Sequence, residues 1–168
     1  VARFAIESEK LSLSPALPDA AVVVRPERTW LVPPDGKGEV FVSVPLWMRL
    51  HLPPLDEPLM DQEVFPNKKT WFGPDPTVGE LCYESRTYAR ESLDDVEPRP
   101  HRAVVRVVIR NKSPHLFQLE RLLLPVRHLA LYTRGGFVWT DDLFFVREGD
   151  EESNLELHES DWCRAPEG

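Results

Sequence analysis

The sequence predicts an all-β fold, an antiparallel β-sandwich of the immunoglobulin-like or jelly-roll style. Apolar and polar residues alternate over residues 103–109, a Gly135-Gly136 pair supplies a hairpin turn, and turns containing Pro or Gly separate short apolar segments along the chain. We expect one sandwich domain over residues 1–168, with a long Pro-rich loop at residues 53–79 and at most one short helix.

The strand predicted at residues 103–109 has one wholly apolar face. Successive side chains of a strand point to opposite faces, so its odd-numbered residues, all of them Ala, Val or Ile, lie together. Arg106 and Arg110 lie on the opposite face with Val104 and Val108. This β-branched composition suits a half-buried strand that packs against another layer.

Shorter apolar segments before this strand predict further strands. Alternation and bounding prolines place them at residues 11–13, 20–25, 29–32, 39–52 and 79–87. Phe4 and Ile6 indicate another short strand near the start. Residues 33–38 predict a turn, and Pro45 predicts an edge or a bulge within the long strand.

The remaining elements follow from the same signals. Ala89, Leu93 and Val96 have helical spacing, which predicts one or two helical turns before the central strand. After it, turn residues separate strands predicted at residues 116–124, 128–133, 137–139, 143–146 and 155–157. Pro125 predicts a bend or a bulge, because proline cannot donate to a sheet ladder.

Charge and composition exclude several protein classes. The chain has 20 Lys and Arg against 28 Asp and Glu, a net charge of −8, which argues against a nucleic-acid protein. The acidic residues 150–161 predict a solvated surface, with docking of a basic partner as the second interpretation. No apolar run is long enough to span a bilayer, and no signal peptide is evident, so we expect a cytoplasmic protein that does not insert into membranes.

The sequence contains no recognisable catalytic or metal motif. The five histidines are scattered, and we expect no cofactor and no metal. Cys82 and Cys163 are too few for a disulfide framework, and buried free thiols are expected instead. The adjacent pairs at residues 94–95 and 141–142 are interpreted as turn-forming aspartates.

Two groups of residues are candidates for ligand binding. A row formed by Arg106, Arg110 and Arg121 on one solvent face suits an anion or an acidic peptide, although pairing with Glu120 or Glu84 is the favoured interpretation. The second group comprises the aromatic residues of the Pro-rich segment, Trp71 and Phe72.

Two stretches resemble a known family. Residues 71–93, WFGPDPTVGELCYESRTYARESL, and residues 104–132, VVRVVIRNKSPHLFQLERLLLPVRHLALY, are similar to a prokaryotic family catalogued only as a domain of unknown function. The resemblance covers the middle and C-terminal parts of the chain. It implies a bacterial or archaeal source and no established activity, so it assigns no functional residue.

These observations favour a non-catalytic module for binding, assembly or regulation. Its partner is expected to be an unknown protein or a second copy of the chain, and not nucleic acid. The alternatives are a metal-dependent, cupin-like enzyme with its site under the Pro-rich segment, and a carbohydrate-binding module that uses some of the five tryptophans.

Overall fold

The computed structural model describes residues 10–75, 77–149 and 153–160. Within these ranges the chain forms short β-strands and two 3-10 turns, Leu93–Asp95 and Val126–His128, and no α-helix. The strands are β1 Ser12–Ala16, β2 Val22–Pro26, β3 Trp30–Val32, β4 Lys37–Pro45, β5 Trp47–His51, β6 Met60–Glu63, β7 Lys68–Phe72, β8 Glu80–Thr87, β9 Arg102–Asn111, β10 Phe117–Leu119, β11 Leu122–Leu124, β12 Leu131–Arg134, β13 Phe137–Thr140, β14 Asp142–Arg147 and β15 Ser153–His158.

Strand β9 is the centre of a six-stranded sheet. It pairs antiparallel with β4 over residues 102–110, while β13 and then β14 pair with it in parallel. β12 continues this sheet beyond β13, and β15 continues it beyond β14. Most side chains on both faces of β9 are buried, the odd-numbered ones in the main core and Val104 against Phe41 and Trp139.

A four-stranded sheet in the order β11-β2-β8-β7 packs against the first sheet. The odd-numbered residues of β9 meet side chains of β2 and β11 in the main core, where Val22, Val24 and Leu124 are fully buried. Two smaller sheets, β1-β5-β6 and β3-β10, extend the layers. The predicted all-β sandwich with mostly antiparallel strands is therefore confirmed.

The predicted hairpin at residues 135–136 is also confirmed. Gly135 has φ = 60° and Gly136 has φ = 81°, and these glycines join β12 to β13. Positive φ at both central positions is the geometry whose twist matches that of two paired strands, and glycine adopts it without a steric penalty.

Several predicted boundaries were wrong. The segment 53–79 contains two strands, β6 and β7, which pair in different sheets. Residues 116–124 form two short strands, again in different sheets, and residues 39–52 break at Leu46 into β4 and β5. The helical spacing at residues 89–96 yields only the three-residue turn Leu93–Asp95, whose N-cap is Ser92. The strand predicted at residues 4–6 lies outside the described residues.

Asn111 at the end of β9 connects two loops through its buried side chain. Its amide Nδ2 lies 3.0 Å from the carbonyl oxygen of Val32, 3.1 Å from that of Pro33 and 2.8 Å from that of His115. Its Oδ1 accepts hydrogen bonds from the backbone and hydroxyl of Ser113. The side chain is fully buried, so these hydrogen bonds take the place of bonds to water.

We predict that Asn111→Ala lowers the free energy of unfolding by roughly 2–4 kcal/mol, because it removes several buried hydrogen bonds at once and leaves a cavity. Urea unfolding followed by circular dichroism measures this change. The neighbouring exposed residue provides the control, since Arg110→Ala is expected to change stability by less than about 0.5 kcal/mol. Equal effects of the two substitutions would contradict the assigned role of Asn111.

Candidate anion-binding site

The backbone of Ser43 lies on the outer edge of β4, where side chains take the place of a neighbouring strand. One rung before it, an isolated bridge joins Phe41 to Arg90 through N···O distances of 2.7 and 2.9 Å. At Ser43 itself, the backbone N–H donates to the Thr87 hydroxyl at 3.4 Å, and the Ser85 hydroxyl donates to the Ser43 carbonyl at 3.0 Å. The end of β8 therefore covers this edge with hydroxyl groups.

Arg102, the first residue of β9, completes the same rung. Its Nη2 donates to the Ser43 carbonyl at 2.7 Å and also to the Ser85 hydroxyl, while its Nε donates to the Ser43 hydroxyl at 2.8 Å. All of these partners are neutral oxygens. Within the described ranges, no carboxylate pairs with Arg102, and no acceptor contacts its Nη1.

The environment of Arg102 disfavours its charge but does not remove it. Burial lowers the pKa of the half-buried guanidinium, and the neighbouring Arg99 lowers it further. Arginine nevertheless stays protonated in proteins because its ordinary pKa is so high. Arg102 therefore carries a partly desolvated positive charge with unused N–H donors, which an anion can stabilise.

Local backbone geometry holds Arg102 at this position. Its N–H donates to the Arg99 carbonyl at 3.0 Å, which closes a turn with Pro100 at the second position. Proline favours that position because its ring presets φ. Within this turn, the backbone carbonyl of His101 accepts a hydrogen bond from the N–H of Leu46 at 2.9 Å. This bond connects the turn to the end of β4.

The chain after β8 bends sharply at Ala89. Ala89 adopts φ = 47°, a left-handed conformation that costs a residue other than glycine about 1–2 kcal/mol. The bend lets Arg90 bridge back to Phe41 and leaves the side chain of Tyr88 more than half exposed. Strain of this kind is often found beside functional sites, where surrounding contacts maintain it.

Two clefts meet at Arg86 and Arg102. The smaller one, which we call the Tyr88 cleft, has a volume of about 80 Å³, and its other polar lining residues include Tyr88, Arg90, Asp95, Glu97 and Arg99. The larger one, the Phe65 cleft, has a volume of about 320 Å³, and its other lining residues include Phe65, Asn67, Lys68, Glu84 and His101. Arg102 therefore faces both openings from the protein interior.

Cations outnumber acids beside the Phe65 cleft. The carboxylate of Glu84, only 9% exposed, lies 3.2 Å from Arg25 Nε, 3.1 Å from Lys68 Nζ and 3.8 Å from Arg86 Nε. The hydrogen bond from Lys68 is the largest cause that lowers the pKa of Glu84. One carboxylate thus serves three cations, and a region of positive potential remains in a protein that is acidic as a whole.

Arg106, predicted as a ligand-binding residue, forms ion pairs with two carboxylates. Its Nη1 lies 2.7 Å from Asp142 Oδ2, and its Nη2 lies 2.6 Å from Glu39 Oε2. The Glu39 hydrogen bond, with a smaller contribution from Asp142, raises the pKa of Arg106 against the effect of burial. The expected partners Glu84 and Glu120 were wrong, and so was the interpretation of Asp142 as a turn residue, because its side chain is buried in this ion pair.

The other predicted residues divide between two faces. Arg110 is exposed near the end of β9, opposite Lys37, on the same face as Arg106. Arg121 instead lies over the ring of Phe72, 4.9 Å from its centroid, on the outer face of the four-stranded sheet. Trp71 is 41% exposed and donates through Nε1 to the carbonyl of Asp75 at 2.9 Å. The predicted single row of three arginines does not form, and ligand binding by these five residues stays a prediction.

Most of the described tryptophans and the described cysteine are buried or pack against the core. Trp47 and Trp139 are buried, Trp30 packs against the main core, and Trp162 lies outside the described residues. Cys82 is a free buried thiol, as expected, whereas Cys163 lies outside the described residues. Within residues 10–75, 77–149 and 153–160, no three His, Cys, Asp or Glu side chains lie close enough together to hold a metal ion.

Sequence reasoning missed the residues that form the site. Arg102 lies just before the strand predicted at residues 103–109, and the sequence predicts Ser43 and Ser85 only as strand positions. The available signal was the sequence Arg99-Pro100-His101-Arg102, a proline turn that places a cation at a strand entrance.

Comparisons with known proteins identify a family but no function. A family model described as "Protein of unknown function (DUF432)" matches residues 1–166. No curated protein and no solved structure matches the sequence. In the part of the chain that the structure describes, no helix is long and apolar enough to cross a membrane.

We predict that Arg106→Met lowers the free energy of unfolding by about 3 kcal/mol, because it leaves the 4% exposed carboxylate of Asp142 without its cation. Denaturant unfolding measures the change, and Arg110→Met on the same face is the control, with an expected change below about 0.5 kcal/mol. The double variant Arg106→Met/Asp142→Asn should recover part of the loss. A full loss in the double variant would show that the ion pair is not the cause.

We also predict that the contribution of Glu84 to stability depends on pH. Its folded-state pKa is lowered, so its charged pairs stabilise the protein above the ordinary carboxyl range and stop doing so as the pH falls through the lowered pKa. Glu84→Gln should therefore destabilise the protein near neutral pH, and the difference from the parent protein should shrink below about pH 4. Urea unfolding at several pH values in this range measures the difference in stability. Glu80→Gln, a substitution of an exposed residue on the same strand, is the control. A difference that does not depend on pH would contradict the assignment.

Proposed function

The chain belongs to the DUF432 family, a family of proteins of unknown function, and we propose that it is a non-catalytic module that binds a small anion at Arg102. The observation that carries the proposal is the chemical state of Arg102. It is a half-buried guanidinium whose described partners are all neutral and which lines both clefts.

Arg102 is a partly buried cation without a counter-ion among the described residues. Partial burial removes water from a charged group, and this costs free energy unless an opposite charge or sufficient hydrogen bonds replace the water. Arg106 is neutralised by two carboxylates, whereas Arg102 is not neutralised by any described residue. An anion that reaches Nη1 therefore gains a charge-assisted hydrogen bond without having to displace an acidic side chain.

The side chains around Arg102 also support the binding of an anion. Arg86 lines both clefts, and its side chain is 78% exposed and thus able to move toward a ligand. Lys68 is similarly exposed, pairs with Glu84 across β7 and β8, and lines the Phe65 cleft. Serine hydroxyls at positions 43 and 85 fix the guanidinium of Arg102 in place, so little side-chain entropy remains to be lost on binding.

Binding, and not catalysis, is the role that these groups suit. The Ser43 and Ser85 hydroxyls both accept from the Arg102 guanidinium, which stabilises their oxygens as acceptors and does not activate them as nucleophiles. The site presents donors and positive charge, the usual features of an anion receptor. Its clefts of about 80 and 320 Å³ admit a small molecule more readily than a protein segment.

We predict that inorganic phosphate binds the full chain saturably, with a dissociation constant of about 1 mM or tighter, and that Arg102→Met abolishes this binding. Isothermal titration calorimetry at constant ionic strength, with chloride as the competing salt, measures it. Arg110→Met is the matched control, because it removes an exposed arginine from the same strand and should leave the affinity unchanged.

A second variant keeps this test decisive if Arg102→Met does not fold. Arg86→Ala removes an exposed side chain and is expected to weaken phosphate binding about threefold or more without unfolding the protein. Phosphate affinity that is the same in the parent chain, Arg86→Ala and Arg102→Met would overturn the proposal. Undetectable binding of phosphate, sulfate and acetate to the parent chain would overturn it as well.

A further inference from the structure

The larger cleft carries features that specify the ligand further. We infer that the bound molecule is a phosphomonoester of a planar ring compound, such as a nucleoside monophosphate, with its phosphate at Arg102 and its ring in the Phe65 cleft. This inference rests on the proposed function and names the class of ligand for the same site.

The charge of the site favours a phosphate dianion over a carboxylate. Lys68 and Arg86, which line the cleft, share the carboxylate of Glu84 with Arg25, and Arg102 adds a further positive charge to the lining. A monoanion would neutralise only part of this excess. A phosphomonoester carries about −1.5 to −2 charges at pH 7 and offers three acceptor oxygens, which matches several convergent donors.

Aromatic side chains at the same cleft favour a planar ring on the ligand. Phe65 is 58% exposed, and its ring contacts that of His101 edge-on, with centroids 5.0 Å apart and planes at 73°. Phe65 lines the cleft and is more than half exposed, so part of its ring surface is available to a ligand. Nucleobases stack on such surfaces with little dependence on their identity, because every base has a π-face.

The two clefts differ in how much aromatic ring surface they offer to a ligand. The Tyr88 ring also lies at a cleft, but the guanidinium of Arg90 covers it at 4.7 Å from the centroid. The Tyr88 cleft has a volume of about 80 Å³, whereas the Phe65 cleft has about 320 Å³, within the usual range for small-molecule sites. Tyr88 also lines a third cleft of about 610 Å³, but Arg102 does not line that cleft. The ring is therefore assigned to the Phe65 cleft.

Calorimetry with four compounds tests the inference: inorganic phosphate, ribose 5-phosphate, adenosine and adenosine 5′-monophosphate. We expect the monophosphate to bind about tenfold or more tightly than phosphate or ribose 5-phosphate, and adenosine alone to bind more weakly than any of them. Phe65→Ala should reduce the monophosphate affinity to about that of ribose 5-phosphate and leave phosphate affinity unchanged.

Tyr88→Ala is the matched control, because it removes a similarly exposed aromatic ring from the other cleft. It should leave the preference for the monophosphate intact. A monophosphate that binds no more tightly than phosphate, or a preference that is lost in Tyr88→Ala and kept in Phe65→Ala, overturns this inference while anion binding at Arg102 stands. Failure of phosphate, sulfate and acetate to bind the parent chain overturns the proposed function itself.

Discussion

The open edge of β4 is the constraint on which the arrangement of the site depends. A strand at the edge of a sheet exposes backbone N–H and C=O groups, and these need partners wherever water is excluded. β9 supplies those partners along one edge of β4, but on the other edge the described chain offers only the bridge between Phe41 and Arg90. At Ser43 the need is met by side chains, and each of them is thereby fixed in direction.

The need for partners at the backbone of Ser43 also explains why Arg102 is half-buried without a counter-ion in the described part of the chain. A neutral donor would satisfy the Ser43 carbonyl, but a guanidinium satisfies the carbonyl, the Ser43 hydroxyl and the Ser85 hydroxyl at once. Its planar fork has five N–H groups, so structural bonds use only part of its capacity. The structural role and the proposed binding role of Arg102 therefore use different atoms of one side chain. This division distinguishes Arg102 from Arg106, whose charge is already matched by Asp142 and Glu39.

The sequence was informative where local pattern decides structure. Residues 103–109, 79–87 and 135–136 were predicted well because strict alternation and a Gly-Gly turn are local properties. The strands β6 and β7 were missed because prolines and charges conceal four- and five-residue strands whose existence depends on pairing with β5 and β8. In these two strands, tertiary contacts override weak local propensity.

The candidate site was less predictable than the fold, for a related reason. Arg106 was recognised as a residue of the polar face, but its partners Glu39 and Asp142 lie 67 and 36 residues away, and only the register of three strands brings them together. Arg102 is joined to Ser43 and Ser85 by the meeting of two sheets, which no spacing in the sequence encodes. Single-sequence patterns identify which face a side chain occupies, and they do not identify what lies across from it.

Net charge is a poor guide to this site, because electrostatic interactions in salt solution are local. At physiological ionic strength, exposed charges more than about 8 Å apart are largely screened from each other. A small anion in the Phe65 cleft would therefore respond mainly to the charged residues that line it, and hardly to the acidic residues elsewhere that bring the total to −8. The lining residues are Lys68, Glu84, Arg86 and Arg102. The net charge of −8 is therefore compatible with the proposed binding of a small anion in this cleft.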